Sequence, residues 1–242
     1  MTQFRKLIVS DDPLSTLHNC DGYYECPKTE DGRRLGPLVA YAGKYKNPSD
    51  EDKRWVGDVY YNFAKIEKYP PVLALFAKAL SSLVPDDLNV DAVLGAPMGG
   101  LAFAQSLALH LDCEFAFAEK KVIGLEDSGR EKSVLIMKRH DIMSGSKVLI
   151  VEDVCNNFST TEQICELIRK NGAEPVGIAC ELNRSGQTEW QNLPVIALMD
   201  IPTVQFKQED PEVAADIENS NVVWDAKKDW DILMKAMADV KA

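Results

Sequence analysis

The chain has 242 residues, of which 45% are hydrophobic and 27% are charged, and its formal net charge is −11. This length is sufficient for one large domain or for one domain with an elaboration. The acidic balance argues against a nucleic-acid-binding protein, which needs a basic face. No apolar run is long enough to span a membrane, and the first residues lack the apolar segment of a signal peptide. We therefore expect a cytoplasmic protein whose six cysteines are reduced.

The first 68 residues differ in composition from the rest of the chain. They are rich in glycine and aromatic residues, with strand-like runs at 37–45 and 55–63. A turn-prone segment, residues 46–53, lies between these runs. The pattern predicts a small, mainly antiparallel subdomain over residues 1–68, with one long exposed loop.

Residues 69–205 alternate between strand-like and helix-like segments. A helix is predicted from Pro70, and further helices are predicted after the first and third of the strands that follow. Strand-like apolar runs occur at 91–95, 114–118, 148–151, 176–182 and 195–198. This alternation predicts an α/β fold with a doubly wound, mainly parallel sheet flanked by helices. Residues 206–242 are predicted to form a helical tail on the core or on the first subdomain, with Trp224 and Trp230 as packing anchors.

The sequence KVLIVEDVCNNFST, residues 147–160, is the central motif. Its apolar run is predicted to end at two acids, Glu152 and Asp153, and the helix that follows is predicted to stop at Asn171-Gly172. Ligands of open α/β sheets bind beyond the carboxyl ends of the strands. The acids suit ribose hydroxyls or a hydrated Mg²⁺, and the turn before the helix suits a phosphate. That turn consists of Asn156, Asn157, Phe158, Ser159 and Thr160.

A second turn, Pro97-Met98-Gly99-Gly100, also lies between a predicted strand and a predicted helix. Its two glycines would let a diphosphate approach backbone N–H groups. From the residues alone, both turns are equally compatible with ordinary strand-to-helix connections that bind no ligand.

The central motif resembles the phosphoribosyl-diphosphate (PRPP) motif of type I phosphoribosyltransferases. The interval from the acids to Leu182-Asn183-Arg184 resembles that of orotate phosphoribosyltransferases, and the resemblance covers roughly residues 55–200. It implies transfer of phosphoribose from PRPP to orotate, with Mg²⁺, in a homodimer. The family has a glycine where Phe158 stands. We expect this phenylalanine to keep an ordinary backbone conformation, because only glycine adopts the unusual ones freely.

The resemblance also implies roles for individual residues in PRPP binding. It assigns the 5′-phosphate to residues 156–160 and the ribose hydroxyls and Mg²⁺ to Glu152 and Asp153. It assigns the diphosphate to the loop from Pro97 to Gly100, with a cis peptide bond between Pro97 and Met98.

The resemblance also implies roles for five residues that would contact the base or belong to the lid. Arg184 would meet the carboxylate region of orotate, and Tyr60 and Tyr61 would border the base. The alternative for both tyrosines is ordinary strand core. Lys120 matches a lysine that precedes the family's mobile catalytic loop, and Lys121 is a candidate substitute for an absent arginine. Together with Asp153 they form the implied catalytic set, and residues 124–129 are polar enough to form the lid.

Two alternative functions remain open at the level of sequence. One is a type I enzyme for another base, such as a purine. The other is a non-catalytic PRPP-binding regulator, because a fold does not determine its function. In all three cases the partners are small molecules, and neither nucleic acid nor a membrane is expected.

Overall fold

The computed structural model describes residue 8 and residues 12–125 and 131–239. These residues form two compact units. The first unit contains Ile66–Pro202, and the second combines Leu14–Lys65 with residues 203–239. Within the described ranges, no helix has both the length and the apolar character that crossing a bilayer requires.

Seven helices and thirteen strands make up the regular structure of the described residues. The helices are α1 (Pro13–Asn19), α2 (Ala64–Glu67), α3 (Pro70–Ser81), α4 (Gly100–Leu111), α5 (Ser159–Lys170), α6 (Ala214–Glu218) and α7 (Trp230–Asp239). The strands of the N-terminal part are β1 (Tyr23–Glu25), β2 (Leu38–Lys46), β3 (Asp52–Gly57) and β4 (Val59–Tyr61). Those that follow are β5 (Ala92–Gly95), β6 (Glu114–Phe117), β7 (Glu119–Leu125), β8 (Glu131–Ile136), β9 (Lys147–Cys155), β10 (Glu174–Asn183), β11 (Glu189–Trp190), β12 (Leu193–Asp200) and β13 (Val222–Val223).

The first unit is built on a six-stranded sheet with the order β11-β12-β10-β9-β5-β6. All neighbouring strands are parallel except β11 and β12. Helices α3 and α4 contact the sheet, as does α5. The predicted α/β class with a mainly parallel sheet is therefore confirmed, and each of the five predicted strands is present.

The centre of this sheet is covered on both faces, which explains the uninterrupted apolar run of β9. Residues 148–151 are all fully buried. Ile150 belongs to a core cluster with Ile164 and Ile168 of α5, and α4 also contacts β9. However, β9 continues to Cys155, two residues beyond the acids at which the sequence predicted its end.

The helix ends of the first unit follow the sequence signals. Helix α3 opens on Pro70 and Pro71, where the missing backbone donors cost nothing. Helix α5 ends at Lys170, and Gly172 takes a positive φ of 78° in the turn beyond it. Both predicted boundaries are confirmed.

A separate two-stranded antiparallel sheet, β7–β8, follows β6. Strand β8 includes the first three residues of the apolar run VLIMK at 134–138. Of the predicted lid, Gly124 and Leu125 lie in β7, while residues 126–129 are outside the described residues.

The second unit contains the sheet β13-β2-β3 and the antiparallel pair β1–β4. The long loop predicted at 46–53 is instead a short hairpin turn, because β2 extends to Lys46 and β3 begins at Asp52. In this turn, the Asn47 side chain accepts hydrogen bonds from the backbone N–H groups of Ser49 and Glu51. The predicted run at 55–63 is divided between β3 and β4.

The C-terminal tail is not purely helical, contrary to the sequence prediction. Strand β13 pairs in parallel with β2, and Phe206 forms a bridge with Val56. Trp230 is 3% exposed and is confirmed as a packing anchor. Trp224 is 44% exposed, so the same prediction was wrong for this residue. The tail is thus part of the same compact unit as residues 14–65.

Candidate active site

Two predicted loops meet at the carboxyl end of the main sheet, although about fifty residues separate them in sequence. The loop Pro97–Gly100 follows β5, and the turn at 156–160 follows β9. Strands β5 and β9 are adjacent and parallel. The Ala96 N–H donates a hydrogen bond to the Val151 carbonyl oxygen, with an N···O distance of 2.8 Å. The first loop therefore lies against β9.

Glycine is required in the loop Pro97–Gly100 because of this close approach. A Cβ atom on Gly99 would overlap the carboxylate of Asp153, and one on Gly100 would lie 2.5 Å from the carbonyl oxygen of Val151. The peptide bond between Pro97 and Met98 is cis, at the predicted position. The loop and Asp153 thus form one continuous site.

The two adjacent acids lie in different surroundings, and their role at the ribose stays a prediction. Successive side chains of a strand point to opposite faces, and β9 continues through both acids. Glu152 is 8% exposed and accepts a hydrogen bond from the hydroxyl of Thr161 in α5, at 3.0 Å. Asp153 is half-buried on the opposite face, beside Gly99. Of the two acids, only Asp153 faces the glycine loop.

The surroundings of Glu152 also change its charge. Burial raises the pKa of Glu152 to about 8, and the charge of Asp153 raises it further, while the bond from Thr161 opposes the shift. Glu152 is therefore largely protonated at neutral pH.

Glu181 is a buried acid of this site that sequence reasoning missed. It lies in β10 between the cross-strand pairs Cys180–Glu152 and Leu182–Val154, so it is next to Asp153 on the same face. Glu181 is 0% exposed, and among the described residues neither of its carboxyl oxygens has a hydrogen-bond partner. Burial raises its pKa well above the ordinary value, and the charges of Asp153 and Glu67 act in the same direction. The available signal was a lone charge within the apolar run VGIACEL.

The turn at 156–160 has the local structure of an anion site at a helix N-terminus. Asn157 and Ser159 are exposed, and the Asn157 side-chain oxygen accepts hydrogen bonds from the Ser159 amide at 3.2 Å and hydroxyl at 3.0 Å. Ser159 begins α5, a helix of 12 residues whose dipole is positive at this end. A phosphate here would find hydroxyl and backbone N–H donors together.

Phe158 has a left-handed backbone, with φ of 56°, so the prediction of an ordinary conformation was wrong. Its side chain is 4% exposed and stacks on Trp190, with ring centroids 5.4 Å apart and planes at 21°. A left-handed non-glycine residue costs about 1–2 kcal/mol. Burial of a phenylalanine side chain contributes about 1.5–3 kcal/mol, which offsets that cost. The conformation that glycine adopts freely is therefore maintained here by side-chain packing.

Arg184 lies beside the start of this turn. Its backbone N–H donates to the Cys155 carbonyl oxygen at 2.8 Å, which joins the end of β10 to the end of β9. Asn183, 1% exposed, shapes the loop: its side-chain oxygen accepts from the Ser185 amide at 3.0 Å, and its amide donates to the Gln187 carbonyl at 2.9 Å. Asn183 was not predicted as a site residue, although asparagine commonly forms such turns.

The two predicted lysines lie in the β7–β8 hairpin. Lys120 pairs with Leu135 and Lys121 with Val134 in the antiparallel register. Both side chains are exposed. The catalytic role of both lysines stays a prediction.

The two predicted base-bordering tyrosines belong to the second unit. The ring of Tyr61, 9% exposed, lies 5.4 Å from that of Tyr23 between centroids. The ring of Tyr60 packs against Trp230, with centroids 5.9 Å apart. These contacts favour the alternative of strand core, and a role at the base stays a prediction.

Comparisons with known proteins find similar chains of two kinds, phosphoribosyltransferases and a transcriptional regulator. An orotate phosphoribosyltransferase from Caldicellulosiruptor bescii is 28% identical over 193 residues, 79% of this chain and 90% of the relative. A transcriptional regulator, GfcR, from Methanocella arvoryzae is 26% identical over 154 residues, 61% of this chain and 74% of the regulator. The crystal structure of orotate phosphoribosyltransferase from Aeropyrum pernix matches with a TM-score of 0.49 and 19% identity, over 66% of this chain and 87% of that chain.

The family itself follows from a match to a whole-domain model. Residues 62–215 match the model described as the phosphoribosyl transferase domain, which is more than half of the chain. The residues that meet at the sheet edge, from the glycine loop to Arg184, all lie within the matched range. The chain therefore belongs to the phosphoribosyltransferase family, of type I.

Proposed function

We propose that this chain transfers phosphoribose from PRPP to orotate, giving orotidine 5′-phosphate and diphosphate. The observation that carries the proposal is the contact of the loop Pro97–Gly100 with Asp153, beside the turn at 156–160. Relatives named orotate phosphoribosyltransferase, at 24–28% identity, support orotate as the base.

In this proposal the protein binds PRPP by backbone and acid contacts. The turn at 156–160 holds the 5′-phosphate, the loop Pro97–Gly100 holds the diphosphate, and Asp153 holds the ribose hydroxyls. Little covalent chemistry is required of the protein. It brings N1 of the base to C1′ of the ribose and stabilises the charge of the leaving diphosphate, with Lys120 and Lys121 as candidate cations.

The residues present fit a Mg²⁺ ion that arrives with PRPP. Mg²⁺ keeps several waters and commonly binds through one or two carboxylates together with substrate phosphates. Among the described residues, no group of three or more His, Cys, Asp or Glu side chains could hold a metal. Asp153 is the carboxylate that lies beside the glycine loop. Bound Mg²⁺ would neutralise charge on the diphosphate.

A diphosphate-release assay tests the function directly. The protein is incubated with PRPP and Mg²⁺ and, separately, with orotate, uracil, adenine and hypoxanthine. We expect release with orotate and little with the other three bases. Release with adenine or hypoxanthine instead would identify an enzyme for a purine base.

The relative named as a transcriptional regulator favours a second candidate, a non-catalytic PRPP-binding protein. This candidate predicts PRPP binding without diphosphate release for any base in the panel. Its weakness is the net charge of −11, since a regulator that contacts nucleic acid needs a basic face.

Gly99→Ala is expected to weaken PRPP binding at least tenfold, about 1.4 kcal/mol. The added methyl group would overlap the Asp153 carboxylate, so either that side chain or the loop must move. Titration calorimetry with PRPP measures the effect. Gly43→Ala is a matched control, because its Cβ would lie at an ordinary 3.5 Å from Trp55. Equal PRPP affinity in the two variants would contradict the assignment of this loop.

Arg184→Ala is expected to cost about 1.5–3 kcal/mol in kcat/KM for orotate, the range for hydrogen bonds to charged groups. The KM for PRPP should barely change. Arg184→Lys should recover little, since a point charge cannot reproduce the bidentate fork of arginine. Steady-state kinetics with each substrate varied separately makes the test. Equal losses for both substrates would mean that Arg184 supports the loop rather than the base.

We also propose that the active form is a homodimer, the commonest symmetric assembly and the usual one in this family. Light scattering at working concentration is expected to give twice the chain mass of 26.9 kDa. A fully active monomer would contradict this proposal.

A further inference from the structure

The stack between Phe158 and Trp190 connects two parts of the first unit that are distant in sequence. Trp190 is the last residue of β11, the outermost strand of the main sheet, and lies opposite Leu193 in the β11–β12 pair. Phe158 is the residue immediately before α5. Phe158 belongs to the core cluster that includes Leu193, and the partly buried Trp190 packs against that cluster. The stack therefore joins the edge of the sheet to the turn at 156–160.

The backbone conformation of Phe158 is unfavourable in itself and depends on the contacts of the side chain. Its φ of 56° costs about 1–2 kcal/mol for a residue with a side chain. The conformation persists only where surrounding contacts hold the ring. The first helical amide of α5, that of Ser159, follows directly, so its direction depends on how Phe158 is held.

We propose that Trp190 is a positioning residue for the phosphate turn, and that it acts by holding the ring of Phe158. The proposal rests on the proposed function only in taking the turn at 156–160 as a phosphate site. It goes beyond that function, because it assigns a role to a residue outside the motifs and explains how the turn keeps a left-handed residue without glycine.

Binding of ribose 5-phosphate, measured by calorimetry, tests this role without any base or turnover. Trp190→Ala is expected to weaken binding at least tenfold. Trp190→Phe, which can still stack, should stay within about threefold of wild type. If the alanine variant does not fold, Trp190→Leu takes its place, since leucine fills the space but cannot stack.

A matched control separates positioning from general loss of stability. Ile168→Ala removes a buried side chain from the same core cluster and from the same helix, ten residues beyond Phe158, or roughly 15 Å along the axis. It should lower the melting temperature while leaving the affinity for ribose 5-phosphate near that of wild type. An equal loss of affinity in both variants would overturn the proposal.

A double variant tests whether Trp190 acts through Phe158. In a Phe158→Gly background, Trp190→Ala should cause less than a twofold further change in affinity, because the ring to be held is absent. A further tenfold loss would overturn the mechanism. If wild type itself binds neither ribose 5-phosphate nor PRPP, the proposed function fails. If wild type binds and Trp190→Ala binds equally well, the inference alone fails.

Discussion

Between pH 4.5 and 8, ionisation of Glu152 is expected to lower the free energy of unfolding of wild type by about 3–5 kcal/mol. Glu152→Gln cannot ionise and is expected to lack this loss. The folded state raises the pKa of Glu152 from an ordinary 4.5 to about 8. Between these values the folded protein binds more protons than the unfolded chain. The free energy of unfolding therefore falls as the pH rises through this range, and the stability is greatest below pH 4.5 for this group.

Urea denaturation of wild type and variant at pH 5 and pH 8 measures the difference. Glutamine keeps the size of the side chain and an oxygen that can accept from Thr161, so the fold should be retained. At pH 8 the variant should be the more stable protein, and at pH 5 the two should be similar. Parallel stability curves over this range would show that Glu152 ionises in the folded state at its ordinary pKa.

Glu181→Met is expected to raise the free energy of unfolding at pH 8 by about 2–4 kcal/mol. A buried carboxyl without donors bears a desolvation penalty of about 1–3 kcal/mol, and more when charged. Methionine has a similar volume, is unbranched and fits irregular space. In the described part of the chain, neither carboxyl oxygen of Glu181 has a hydrogen-bond partner, so the substitution breaks no bond of this carboxyl.

Glu181→Gln is the matched control for this prediction. The amide has the shape of the acid and cannot ionise, but it still needs hydrogen-bond partners when buried. We expect it to gain less than methionine at pH 8. Urea denaturation again supplies the measurement. A methionine variant less stable than wild type would mean that Glu181 makes a favourable contact that exceeds its desolvation.

The fold was predictable from sequence because its signals are local. Apolar β-branched runs marked the strands, and Pro70-Pro71 and Gly172 marked helix boundaries. The tail was harder, because β13 has two residues and gains its pairing from β2, far away in sequence. A two-residue strand has no periodicity that could reveal it.

The site was only partly predictable, because spacing does not give the direction of a side chain. Glu152 and Asp153 looked like a pair as long as β9 was taken to end before them. Because the strand continues through both acids, alternation directs their side chains to opposite faces of the sheet. Phe158 was misjudged for a related reason, since the ring that holds its backbone, Trp190, is distant in sequence.

The second unit is built from two segments that are far apart in sequence, which affects the order in which the chain can fold during synthesis. Residues 14–65 leave the ribosome before Ile66–Pro202, whereas residues 203–239, which complete the same unit, leave after it. At about 5–20 residues per second, roughly 7–28 s separate the two segments. During that interval Leu38 and Val39 of β2 lack their partner β13, so a strand edge is open to pairing with other chains. The segment Ile66–Pro202 is complete before then and can fold first. The open edge of β2 would therefore be at risk of pairing with other chains until β13 has emerged.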